Sequence, residues 1–262
     1  RSLMDVQCVH YSGAHSPSFL FVPGFFTEPL VPGSPFDLSW DRQVISISKT
    51  YGLNGYIVRW PAGNIKDISM FKHWNKISST LESTLVSWCA ARDRTNAVVN
   101  SLLGHIQSLK SPVHLAGHSL GGRIVLKVAE AISAPKKIQS IAALAPAVSA
   151  PEVDLSRVSQ TVERVPFVCY SSKDKVLSTL FPCGQQSFRI MDLCRSSLNS
   201  PKYILQQVSH VLESLHTNPA IGFVGVTNEY RHLFRSKNTH LSHLKYASNL
   251  QSILRESRNL DL

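Results

Sequence analysis

Short apolar runs alternate along the chain with longer stretches in which apolar residues recur every three or four positions. The runs are Ser18–Val22 (SFLFV), 56–60 (YIVRW), 113–116 (VHLA), Ile138–Leu144 (IQSIAAL), 165–170 (VPFVCY) and 220–226 (AIGFVGV). Most are bounded by Pro or Gly, and runs of this length predict buried strands. Between them, 38–51 places Trp40, Val44, Ile47 and Ser48 on one side of a helix, which Gly52 and the pair Asn54-Gly55 then close. The stretch 66–110 reads as helical throughout. Phe71, Trp74, Ile77, Leu81, Leu85 and Trp88 form one apolar stripe, and Thr95 is placed to cap a second helix carrying Val98, Leu102, Ile106 and Leu109. Strands alternating with helices predict an α/β fold, a mostly parallel sheet covered by helices on both faces, with any active site beyond the carboxyl ends of the strands. No internal repeat or Pro/Gly/Ser-rich linker divides the chain, so residues 1–262 are expected to form one domain.

One join in this pattern carries chemistry. The apolar run 113–116 passes through Gly117-His118-Ser119-Leu120-Gly121 into helical spacing at Ile124, Val125, Val128, Ala129 and Ile132. A strand that turns directly into a helix needs a tight bend, and glycines two positions either side of Ser119 remove the side chains that would collide there. The bend residue is then held strained, with its hydroxyl at the strand's end. The helix N-terminus beside it offers free N–H groups and a positive dipole end, suited to an oxyanion. This is the G-x-S-x-G elbow in its confirming strand–turn–helix context.

At this point the chain resembles the α/β-hydrolase superfamily, in particular its serine esterase and lipase branch. The resemblance implies acyl transfer by Ser, His and an acid, in the chain order Ser, acid, His. A serine hydroxyl needs a base to take its proton, and the base needs a carboxylate to orient it and balance its charge. Asp174, in the turn SSKDKVL after the run 165–170, is the expected acid. The plainer reading of Asp174 is a helix cap, and Glu152 and Asp154, after the preceding strand, are rivals. The histidine is expected after the run 220–226, taken as the last strand, where His232, His240 and His243 are the candidates and NTHLSHLKYASNLQSILRE is the favoured segment. His240 fits first and His243 is the alternative, kept open because Thr239 stands where the family usually has Gly. The oxyanion hole is expected from the backbone N–H groups of Leu120 and of Phe25, in the loop Pro23-Gly24-Phe25-Phe26.

Composition narrows the picture further. Hydrophobic residues make up 43% of 262, enough for a core that needs no staples. Five widely spread cysteines (Cys8, Cys89, Cys169, Cys183, Cys194) read mainly as buried or free thiols, with a Cys183–Cys194 bridge as the alternative. No metal-ligand spacing is present, and the predicted chemistry needs no cofactor. No 18-residue apolar span occurs, and the N-terminal stretch lacks the core of a signal peptide. The chain does not begin with Met, so a leader upstream stays open. The expected location is cytoplasmic or peripheral to a membrane. The formal charge of +10 favours anionic partners such as a membrane surface, but the basic residues are scattered and no nucleic-acid module is recognised.

The expected protein is therefore a single-domain α/β hydrolase cleaving carboxylic esters of small acyl or lipid-like substrates, with Ser119, Asp174 and His240 as its triad. A non-catalytic binding module, or a thioester or amide hydrolase on the same scaffold, are the alternatives. Residues 178–217 exceed the length of a simple crossover. They read either as an ordinary helix packed on the sheet or as a cap, with Tyr203, Ile204, Val208, Val211, Leu212 and Leu215 on one face.

Overall fold

The computed structural model describes residues 4–25, 40–62, 77–109, 112–134, 137–185, 218–258 and 260. Among them, β1 (Asp5–His10), β2 (Ser18–Val22), β3 (Asn54–Arg59), β4 (Val113–His118), β5 (Ile138–Leu144), β6 (Phe167–Tyr170) and β7 (Arg235–Asn238) form one sheet in the order β1-β3-β2-β4-β5-β6-β7. β1 runs antiparallel to β3, and every other pairing is parallel. Every residue of β2 and β4 is buried. Central strands covered on both faces are apolar on both faces, which is why they appear as runs rather than alternations.

Among the described residues the α-helices are α1 (Trp40–Tyr51), α2 (Ile77–Ser108), α3 (Leu120–Ala131), α4 (Leu155–Thr161), α5 (Lys175–Gln185), α6 (Ile221–Val224) and α7 (Tyr246–Ser257). α1 packs with α7, while α3 packs with α2 and α4, so two helical layers flank the sheet. The strand order reverses at β2: the chain goes from β2 to β3 on one side and later returns to β4 on the other. The carboxyl ends of β2 and β4 therefore open a crevice at a topological switch point.

Several expectations need correction. Residues 220–226 are not a strand. Ala220 makes an isolated bridge to Ser149, and Ile221–Val224 is a single helical turn, α6, closed by Gly225 at φ 82°. A short buried apolar run does not distinguish strand from helix. This one is buried because it crosses the end of β5: a Cβ on Gly222 would stand 2.3 Å from the carbonyl carbon of Ala145. The last strand is β7, whose sequence RSKN is mostly exposed at the sheet edge and carries no apolar signal. β1, at the other edge, is equally silent in the sequence.

Asn54-Gly55 lies inside β3 rather than in a turn. The Asn54 side chain accepts from the N–H groups of Ser12 and Gly13 and donates to the carbonyls of Gly13 and Ser16, pinning the β1–β2 loop. Gly55 leaves room for Ser48, whose hydroxyl would be 2.3 Å from an added Cβ. Thr95 caps no helix either. It sits within the 32-residue α2, donates to the Arg92 carbonyl and accepts from Arg123 Nε. Phe71 and Trp74, residues 186–217 of the cap expectation, Cys194 and the side chain of Cys183 lie outside what the structure describes.

Candidate active site

The elbow is built from backbone contacts that only glycine permits. A Cβ on Gly117 would stand 2.2 Å from the Gly121 carbonyl oxygen, and one on Gly121 would stand 1.9 Å from that of Val22. Strand β4, the start of α3 and the end of β2 thus touch backbone to backbone. Between the two glycines, Ser119 adopts φ 56°, ψ −120°, a conformation that costs a non-glycine residue about 1–3 kcal/mol. Its own backbone holds it there. The N–H donates to Leu144 O, and the carbonyl accepts from Arg123 N and Ala147 N.

The loop after β2 lies against this turn. A Cβ on Gly24 would come within 2.6 Å of both Ser119 Cβ and the His118 carbonyl oxygen. Trp60 Nε1 donates to Pro23 O and fixes the loop's start. Phe25, half-buried, follows Gly24, and Leu120, fully buried, begins α3. Both N–H groups expected for an oxyanion hole are thus brought to the same end of the crevice as Ser119.

Asp174 is fully buried just past the end of β6. Its two oxygens have different partners. Oδ1 accepts from Leu177 N at the start of α5, and Oδ2 lies 2.8 Å from His243 Nδ1. The carboxylate therefore caps a helix and also orients a histidine. Because Nδ1 donates to the carboxylate, Nε2 is left as the basic nitrogen. The residue on Asp174 is His243 and not His240, which is exposed. Thr239 explains the difference. Buried, it bonds the Tyr170 carbonyl through both N–H and hydroxyl, so the chain turns outward at the exposed His240 and returns at His243, four residues after Thr239.

The rival acids are committed elsewhere. Burial alone would raise the Glu152 carboxyl, but Arg123, the Ser149 backbone and Arg92 outweigh it and bring it down to about 2. Its Oε1 is 2.8 Å from Arg123 Nη1 and 2.5 Å from Arg92 Nη2. Asp154 caps α4 by accepting from Arg157 N.

A serine strained at the β4–α3 join, a carboxylate after β6 and a histidine after β7 bonded to that carboxylate follow one another in the chain order Ser, acid, His. The fold is that of the α/β hydrolases. No family model matches the chain, and no curated protein matches it. Among solved structures, this α/β-hydrolase fold is similar to a predicted CIB-like hydrolase from Thermoplasma acidophilum, at 14% identity over 94% of this chain and 84% of that one, TM-score 0.40. It is also similar to Est1E from Butyrivibrio proteoclasticus, at 9% identity over 97% and 91%, TM-score 0.45. A third is an α/β serine hydrolase without lid from Xanthomonas campestris, at 16% identity over 99% and 88%, TM-score 0.43. Likeness at this level bears on neither the activity nor the substrate of this chain.

Two further observations bound the site. A pocket of about 500 Å³ opens beside α6, between Ala150, Pro151, Ile221, Val224 and Tyr230, but none of Ser119, Asp174 and His243 lines it. Among the described residues, no helix is long and apolar enough to cross a membrane, and no three His, Cys, Asp or Glu residues are grouped to hold a metal ion.

Proposed function

We propose that the protein is a serine hydrolase that cleaves carboxylic esters, with Ser119 as nucleophile, His243 as general base and Asp174 as the orienting acid. The observation that carries this reading is the 2.8 Å bond between the fully buried Asp174 carboxylate and His243 Nδ1, in a fold whose crevice also holds the strained Ser119. A buried carboxylate facing a histidine fixes the imidazole tautomer and balances the charge it acquires when it takes a proton.

In this mechanism His243 Nε2 accepts the Ser119 hydroxyl proton as Oγ attacks the ester carbonyl carbon. The carbonyl oxygen becomes an oxyanion held by the N–H groups of Phe25 and Leu120. Collapse breaks the bond to the leaving alkoxide, which takes the proton from His243. Water then adds to the acyl-enzyme, giving its proton to His243, and the second collapse releases the acid and restores Ser119. The whole chain is read as one domain. The formal charge of +10 suits an acyl substrate met at an anionic surface.

The test is labelling with a fluorophosphonate alongside a panel of esters of graded acyl length. A covalent adduct on Ser119 and turnover of esters, both absent in Ser119→Ala, are expected. An unlabelled wild-type protein would make this a binding module on a hydrolase fold. His243→Ala should be inactive, whereas His240→Ala should keep nearly full activity, because His240 stands in solvent. The reverse result would return the base to His240.

A further inference from the structure

We propose that His118, the residue before the elbow serine, is a positioning residue whose ring is the floor on which the His243 imidazole rests. A single hydrogen bond to Asp174 leaves the His243 ring free to rotate about the Nδ1···Oδ2 line, so Nε2 needs a second constraint to point steadily toward an attacking hydroxyl. The His118 ring supplies a face for it: the two ring centroids are 4.5 Å apart, tilted by 48°.

That face is itself immobilised. His118 is 2% exposed and lies between Trp40, at 5.3 Å and 38°, and Tyr246, at 5.3 Å and 40°. Tyr246 is fully buried, and its hydroxyl lies 3.3 Å from that of Thr239, which donates to the Tyr170 carbonyl at the end of β6. The sheet, the tyrosine, His118 and His243 are therefore in contact in series. Burial, and the neighbouring His243, hold the His118 pKa well below its ordinary value, so its ring stays uncharged. When His243 becomes an imidazolium during turnover, it faces an uncharged aromatic ring, which attracts a cation rather than repelling it.

The proposal rests on His243 being the base, and its test has a readout that does not. His118→Leu keeps about the same volume but removes the ring. His118→Phe keeps a ring and removes both nitrogens: Nε2, which is buried without a hydrogen-bond partner, and with them the ring's hydrogen bond to the His243 backbone. Each variant is compared with wild type by melting, by ester kinetics, and by the downfield proton resonance of the His243–Asp174 bond. For Leu we expect a melting temperature within about 2 °C of wild type, a broadened or lost resonance, and kcat lower by about tenfold with KM nearly unchanged. For Phe we expect the resonance and kcat to be retained. A Leu variant with the wild-type resonance and kcat overturns the proposal. So does a Phe variant as impaired as Leu at an unchanged melting temperature. Should Phe overpack and lower the melting temperature, the Leu variant alone decides. A wild-type protein that shows the resonance and loses it in Leu, yet neither turns over esters nor labels, supports the positioning role and overturns the hydrolase reading.

Discussion

Glu152→Gln tests how far the elbow helix depends on charge. Glu152 joins three elements: Arg123 on α3, Arg92 on α2, and Ser149, whose N–H and hydroxyl both donate to Oε2. Its carboxyl falls from an ordinary 4.5 to about 2 in the fold. A folded pKa below the unfolded one means that the unfolded chain takes up the proton first as pH falls. The stabilisation is thus complete above about pH 4.5 and is lost as pH drops toward 2. At about 1.4 kcal/mol per pH unit, that interval corresponds to about 3 kcal/mol. The side chain keeps 19% of its surface in contact with solvent, and screening there reduces the figure to about 1–2 kcal/mol. Gln can still accept hydrogen bonds, but it leaves Arg92 and Arg123 facing each other without a counter-charge. That adds a loss independent of pH in this range. Urea unfolding of both proteins between about pH 7 and pH 2 should show a stability gap that is constant down to pH 5 and narrows below it. Parallel stability curves over the whole range would mean that Glu152 ionises alike in folded and unfolded chains, and the network argument would be wrong.

Two further outcomes follow from the site. Asp174→Asn should lower kcat by about 10⁴-fold through the wrong histidine tautomer, while the melting temperature falls little because the Asn oxygen can still accept from Leu177 N. Kinetics and calorimetry on the same preparation separate the two roles, and a fall in both together would make Asp174 chiefly a helix cap. Gly121→Ala should destabilise the fold by about 3 kcal/mol or more, because the new Cβ meets the Val22 carbonyl backbone at 1.9 Å. A urea midpoint equal to wild type would show that the β2–α3 approach can relax.

What the sequence made legible follows where burial is two-sided. SFLFV and IQSIAAL match β2 and β5 residue for residue, because both strands are almost wholly buried and mostly apolar. The elbow was readable because its glycines answer a steric demand within five residues. The edges were not. β7 carries Arg, Ser, Lys and Asn because its outer side meets water, and β1 is likewise half-exposed, so neither stands out from a loop. The choice between His240 and His243 was lost to the same cause. With the last strand misplaced at 220–226, the distance from strand end to histidine could not be judged, and it depends on how Thr239 is tied to Tyr170, a long-range contact. Thr95 and Asn54 misled for a related reason. Each belongs to a residue type that favours caps and turns, yet Asn54 ties down a loop distant in sequence, and Thr95, besides bonding the Arg92 carbonyl within its own helix, accepts from Arg123 on another.

The exposed edge also has an operational consequence. Ser119 stands between a fully buried strand and a buried helix, whereas His243 follows, by five residues, a four-residue strand attached to the sheet through β6 alone. Beyond that pairing, β7 is held to α7 by Arg235 donating to the Ser257 carbonyl and by an exposed Lys237–Glu256 pair, a kind of contact worth about 0–1 kcal/mol. Local opening is cheapest where few buried contacts must break. On warming, His243 is therefore expected to leave the Asp174 carboxylate while Ser119 is still in its turn. In the proposed enzyme, turnover is then expected to fail at a lower temperature than the one at which the sheet melts, a gap that activity and calorimetry on the same heating ramp would show.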